Sequence, residues 1–221
     1  PVGVLVALSV TFGTMPTTRG RFAHAGRGPS PGTPWLLAAG LWLAAVAAAP
    51  VLASETRALV LDTARSDIGF QLRTRWGQQL EGRFDDWHGE IVVLPDGRHQ
   101  VRLTLPTGGV EIVGSRSYTR ITRGAGFFDV ERHPEVRFVS DPYPPTLARE
   151  GGAMTGVLSI RGIAQRETFR IAQAQCARPA VDCDVVGEGD VRRSRYAMDR
   201  WGYALSDQVR FTLRIRAVEP H

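Results

Sequence analysis

The sequence predicts an all-β domain, an antiparallel barrel or sandwich around one apolar interior, preceded by an N-terminal extension. Three observations carry this. Beyond residue 57, apolar and polar residues alternate with period two over nine or ten short runs, the pattern of strands with one buried and one wet face. Turn residues separate the runs, and the strand–helix–strand spacing of a parallel sheet does not occur. One stretch alone, SRSYTRITRGAGFFDVERHPEVRFVS from Ser115 to Ser140, interrupts the alternation with a short polar helical run. An insert of this kind is expected to act as a lid or plug at one end of the barrel.

Residues 1–53 read as separate from that domain. They contain Arg19, Arg21 and Arg27 but no Asp or Glu, then the apolar run from Trp35 to Ala49, closed by Pro50 and the small residues up to Ala53. This order predicts a secretory signal peptide cleaved after Ala53, leaving a domain over 54–221 and placing it in the periplasm. The apolar run is shorter than the roughly 20 residues that span a bilayer, so no integral membrane span is expected after cleavage. No Cys lies near the cleavage site, which excludes a lipoprotein anchor. Met15 precedes the basic residues, and residues 1–14 read as lying upstream of the true start.

All 27 basic residues are Arg; removing the three in the extension leaves 24 against 22 acids, a net of +2. That balance lacks the basic footprint of a nucleic-acid binder, so no nucleic-acid partner is expected. Cys176 and Cys183 bracket a short loop containing Pro179. In an oxidising compartment such a pair predicts a local disulfide rather than a redox motif.

Taken in order, Ala58 to Asp62 reads as a first strand. From Ser66 to Trp76, Ile68, Phe70, Leu72 and Trp76 share one face while Gln71, Arg73 and Arg75 take the other. Leu80 to Phe84 keeps its apolar residues on even positions, but Trp87, Ile91 and Val93 are odd. A flip of phase at Asp85-Asp86 predicts a bulge or sharp bend, the device by which barrels turn corners. Pro95-Asp96-Gly97 is a turn by composition, after which Val101, Leu103 and Leu105 alternate and Val110 to Val113 forms a short strand. Ser117 is expected to cap a helix running to Arg123, stopped by Gly124 and Gly126. Pro134 disfavours helix at His133, and Val136 and Phe138 begin the next strand. Residues 141–152 (DPYPPTLAREGG) read as a loop. Met154, Gly156, Leu158 and Ile160 point inward, Gly162 turns the chain, and Phe169 and Ile171 point inward again. Gly187 and Gly189 have inward parity, which leaves room inside. Val209, Phe211, Leu213 and Ile215 close the domain.

From Leu61 to Val218 the chain resembles the YceI-like family of exported, lipocalin-like proteins. Four segments in order carry the resemblance: SDIGFQLRTRW with LEGRFDDWHGEI, then FFDVERHPEVRFVS, then GVLSIRGIAQRETFRI, and the closing VRFTLRIRA. In the helix the family often has an Arg-Asp pair ahead of a leucine; here Tyr118-Thr119-Arg120-Ile121-Thr122 stands there, and Arg123 matches the usual basic position. The resemblance implies an extended antiparallel lipocalin-like barrel of about eight strands with a helix near one end. It also implies a hydrophobic cavity, in which some members bind polyisoprenoid lipids such as quinone-like or prenyl chains.

Affinity for such a tail comes from apolar contact area, about 25 cal/mol per Å² buried, within a concave and mostly apolar site. The cavity candidates are Phe70, Leu72, Trp76, Phe84, Phe127, Phe128, Phe138, Leu158, Ile160, Phe169, Phe211 and Leu213. Arg116, Arg120 and Arg123 are the head-group candidates; a solvated helix face is the competing reading. Catalysis has no cluster to support it: His88, His99, His133 and His221 are scattered, and Ser115 and Ser117 lack the context of an activated serine. The sequence thus predicts a non-catalytic binding protein with no metal and no cofactor beyond a bound isoprenoid lipid or quinone, and leaves room for a homodimer. The competing reading is a structural or stress-related envelope protein whose barrel is filled by its own side chains.

Overall fold

The computed structural model describes residues 58–218. Eleven strands are formed: β1 (Ala58–Val60), β2 (Asp67–Thr74), β3 (Gln79–Phe84), β4 (His88–Val93), β5 (His99–Pro106), β6 (Val110–Ile112), β7 (Glu135–Ser140), β8 (Gly152–Ile160), β9 (Ile163–Ile171), β10 (Val185–Arg192) and β11 (Leu205–Ile215). Two helices accompany them, α1 (Arg116–Arg123) and α2 (Leu147–Glu150). The expectation of about eight strands is therefore corrected to eleven, and the pairing explains the difference. β2 pairs β3 while β1 pairs β4, and β3 pairs β6 while β4 pairs β5. Hence β1–β2, β3–β4 and β5–β6 each behave as one long strand broken by a kink.

All pairings are antiparallel and belong to one sheet. That sheet curls round on itself. From β4 the order runs through β5, β7, β8, β9, β10 and β11 to β2 and β3, and β3 leads back through the Asp85-Asp86 bend into β4. The bend is where the change of apolar phase predicts it, and Asp85 N–H donates to Gly109 O at 3.2 Å across it. Hairpin connections alternate between the two ends. Loops 94–98, 141–151 and 172–184 lie at one end, and 75–78, 113–134, 161–162 and 193–204 at the other.

Burial follows the alternation through the strand centres. Ile68, Phe70 and Leu72 of β2, Val136 and Phe138 of β7, and Phe169 and Ile171 of β9 are buried. Arg161 and Gly162, both at positive φ (54° and 74°), make the two-residue turn between β8 and β9, where the twist of the hairpin requires left-handed backbone.

Three local expectations change. The N-cap of α1 is Ser115, whose hydroxyl accepts from Tyr118 N–H at 3.3 Å; Ser117 lies inside the helix. Residues 141–152 contain α2, whose Leu147 is buried. Trp76, placed by alternation on the inner face, is 77% exposed, because β2 ends at Thr74 and residues 75–77 form the hairpin tip. The disulfide is formed: Cys176 and Cys183 are bonded, with Cα atoms 6.1 Å apart. The proposed signal peptide lies outside the described residues. Among the described residues, no helix is long and apolar enough to cross a membrane.

Candidate functional site

The interior of the curled sheet holds two apolar chambers end to end. The first has a cavity volume of about 200 Å³ and is walled by residues including Leu103, Leu105, Phe138, Leu158, Phe169 and Leu213. It is capped by Tyr143, Leu147 and Ala148 from the 141–151 connection and by Pro179 to Val181 from the disulfide loop. The second, about 310 Å³, is walled by Phe70, Leu72, Phe127, Phe128, Ile160 and Val209 among others. Its rim carries Trp76, Tyr118, Ile121, Trp201 and Tyr203. Phe211 lines both.

An aromatic waist stands between them. The Phe70 ring lies 5.9 Å from Phe84, 6.5 Å from Phe128 and 5.8 Å from Phe211, centroid to centroid. Tilted and edge-on arrangements of this kind suit the ring quadrupoles. The waist needs glycine opposite it: a Cβ on Gly82 would fall 2.1 Å from the Phe70 ring. A second ring pair, Phe138 and Phe169 at 5.1 Å, uses Gly189 likewise, where a Cβ would stand 2.6 Å from Phe169. The room at Gly82 and Gly189 is thus taken by aromatic rings, whereas Gly187 faces Ile171 and Leu213 and lines the first chamber.

Eleven of the twelve cavity candidates line a chamber. Phe138, Leu158, Phe169 and Leu213 belong to the first; Phe70, Leu72, Trp76, Phe127, Phe128 and Ile160 to the second; Phe211 to both. Phe84 lines neither. It is buried behind the waist, packed on Phe70 and, at 5.8 Å, on Phe128. The arginines of α1, the head-group candidates, lie outside the chambers. Arg116, Arg120 and Arg123 lie with Glu111 and Thr119 along a groove apart from both chambers, while Tyr118, Ile121 and Thr122 line the chamber. Arg123 Nε donates to Val110 O at 2.9 Å and so ties the helix to β6, as Thr119 Oγ does by accepting from Ile112 N–H at 2.9 Å.

Few polar groups line the chambers. In the first chamber His99 and Tyr143 meet edge to face at 6.0 Å. Burial pushes the Tyr143 phenol up to about 12 and pulls the His99 imidazole below its ordinary value, so both favour their neutral forms. In the second, Arg193 is 3% exposed and donates to the carbonyls of Met198, Arg200, Leu205 and Ser206. Burial lowers its pKa, and those carbonyls hold the 193–204 connection over the barrel end.

One buried cluster escapes sequence reasoning. Tyr196, fully buried, donates to Glu167 Oε1 at 2.9 Å, and Arg195 donates to the same oxygen at 2.8 Å. Burial, then the hydrogen bond to Glu167, raises the Tyr196 phenol above its usual range. The signal in the sequence was Glu167 at the inward parity of Phe169 and Ile171. The cluster fastens the 193–196 turn to β9. Among the described residues no group of three or more His, Cys, Asp or Glu is placed to hold a metal.

A search of curated proteins finds no match to this chain. Among solved structures, the fold is similar to BcnA of Burkholderia cenocepacia, at 20% identity and a TM-score of 0.58, covering 70% of this chain and 98% of that one. It is also similar to a polyisoprenoid-binding domain from Saccharophagus degradans, at 13% identity and a TM-score of 0.53, covering 74% and 99%. At these identities the likeness is one of fold. The model of the YceI-like domain matches residues 59–217, from β1 to just past β11, which agrees with the motifs and their order. The chain belongs to the YceI-like domain family.

Proposed function

We propose that the protein is a non-catalytic periplasmic binding protein that holds a polyisoprenoid or another long apolar lipid along its barrel axis. The observation that carries this is the pair of apolar chambers in line, joined at Phe211. Such an arrangement fits a chain-like ligand better than a compact one. Each ~100 Å² of tail buried there contributes about 2.5 kcal/mol, without any polar group being needed along the chain. Family membership and the fold shared with a polyisoprenoid-binding domain support the same reading. The neutral forms favoured at His99 and Tyr143 suit an apolar tail end, and the wider chamber with its polar-tipped aromatic rim suits the head.

The test is native mass spectrometry, with organic extraction, of protein isolated from its host's periplasm and expected to begin at Ser54. A stoichiometric prenyl or quinone mass is the expected result. Protein that is ligand-free and also refuses added polyprenyl lipid would defeat the proposal in favour of an envelope protein with a closed, filled barrel.

A further inference from the structure

The two barrel ends differ in charge as well as in the segments that frame them. The connections at the disulfide end, 94–98, 141–151 and 172–184, hold three Arg against five acids. Four of those acids are matched in ion pairs: Asp96 with Arg98, Asp141 with Arg166, Asp182 with Arg178 and Asp184 with Arg216. At the helix end the connections 75–78, 113–134, 161–162 and 193–204 hold nine Arg against three acids. Among the described residues, ion pairs join Arg132 to Asp129 and Arg195 to Glu167. Arg75, Arg123 and Arg161 instead donate to backbone carbonyls, which fix their position but carry no compensating charge; Arg193 is buried, with Asp199 and Asp207 near it.

The same end carries the large exposed aromatics. Trp76 is 77% and Tyr203 75% exposed, with Trp201 and Tyr118 near 40% and Ile121 at 43%. All five line the mouth of the second chamber, so the exposed apolar surface runs without a break into the cavity. Isolated surface apolar residues need no explanation, but a contiguous patch rimmed by polar groups marks a binding surface. Trp and Tyr, apolar rings with one polar tip, are the side chains that settle at the headgroup level of a bilayer. Arg nearby is attracted to anionic lipid phosphates.

We propose that the helix end of the barrel docks on the surface of a bilayer bearing anionic headgroups. Trp76, Tyr118, Trp201 and Tyr203 enter the interface, and the surrounding arginines meet the phosphates. The open chamber then faces the lipid, and a tail passes into it without crossing water. This deepens the lipid-carrier reading and rests on it for its purpose, although the docking itself is measured without any carried lipid.

The experiment is flotation of the purified protein with vesicles of phosphatidylcholine alone and with phosphatidylglycerol added, both free of isoprenoid. Wild-type protein is expected to float with the anionic vesicles, and to release them as salt rises. Trp76→Ser combined with Tyr203→Ser is expected to reduce partitioning at least tenfold, and Arg75→Gln with Arg200→Gln to remove the preference for anionic vesicles. Both double variants change exposed positions, and an unchanged melting curve shows that they fold. Wild type that stays with the buffer, or variants that float equally well, would overturn the proposal. So would a wild-type dimer in vesicle-free solution that the aromatic variant makes monomeric, since a second copy would then own the patch. Uptake of a polyprenol from detergent micelles by wild type is scored separately: vesicle binding without uptake retains the docking surface and removes the carrier reading.

Discussion

The two ends of the barrel enclose similar apolar space by different means. At one end a disulfide loop, α2 and a set of matched ion pairs roof a chamber of about 200 Å³. At the other, α1 and the 193–204 connection frame a chamber of about 310 Å³ whose rim leaves Trp76 and Tyr203 in solvent. A covalently tied loop and paired charge suit an end that is held in one shape. Exposed aromatics and an excess of arginine suit an end that meets something. The two chambers meet at Phe211, beside the Phe70 ring, so the difference between ends becomes a direction along the barrel.

The largest expected effect comes from removing the waist. Phe70→Ala deletes a buried ring in contact with three others and is expected to cost about 3–5 kcal/mol by urea denaturation. It would also widen the junction of the chambers, and extracted lipid should shift to longer chains; an unchanged chain-length distribution would show that the waist is no constriction.

Next is the disulfide end. Replacing Cys176 and Cys183 together by Ser frees a loop with a sequence separation of seven residues and is expected to cost about 2.5 kcal/mol by chain entropy. The loss should appear in the melting temperature and in faster proteolysis within 172–184, while vesicle binding at the far end stays as it was. Equal loss of vesicle binding would mean that the ends are not independent.

Gly82→Ala sharpens the comparison from the opposite side. Its methyl would press on Phe70, costing about 1–3 kcal/mol by overpacking and narrowing the waist rather than opening it. The extracted lipid should then shorten or become sub-stoichiometric.

The smallest effect is a pH dependence at the disulfide end. Burial holds the His99 imidazole below its ordinary 6.5. Its contribution is therefore fully present above that value and is lost as pH falls through the lowered one. Melting temperature should decline modestly on going from neutral to mildly acidic pH, and His99→Gln should flatten that decline. Asp96 and Asp182, held low by hydrogen bonds from Arg98 and Arg178, act in the same direction but below the ordinary carboxylate value of 3.8, so the two effects separate on the pH axis.

Much of this architecture was legible in the residues. Period-two alternation identified the inner face of β2, β7, β9 and β11, the phase change located the bend at Asp85-Asp86, and cysteine spacing anticipated the disulfide. The cavity candidates were legible for the same reason, since most lie at strand centres where parity determines the side. The misplacements share a cause. Alternation carried past the end of β2 put Trp76 inside, although the turn at 75–77 carries it to the tip. Helical spacing grouped Arg116, Arg120 and Arg123 correctly, but which side of α1 meets the chamber depends on Thr119 and Arg123 bonding to β6.

The sequence by itself determined the class of fold, the inner and outer faces of its strands and the chemistry of the interior. Those follow from local rules: side chains alternate across a strand, and apolar area leaves water. Only the tertiary structure decided that the interior is two chambers and not one, and that its ends differ. Whether a ring fills the space beside Gly82 depends on Phe70 across the β2–β3 pairing and on Phe211 beyond it. Whether an arginine is neutralised depends on what a loop far away in the chain brings to it. Both are contacts between residues distant in sequence, and period and composition carry no record of them.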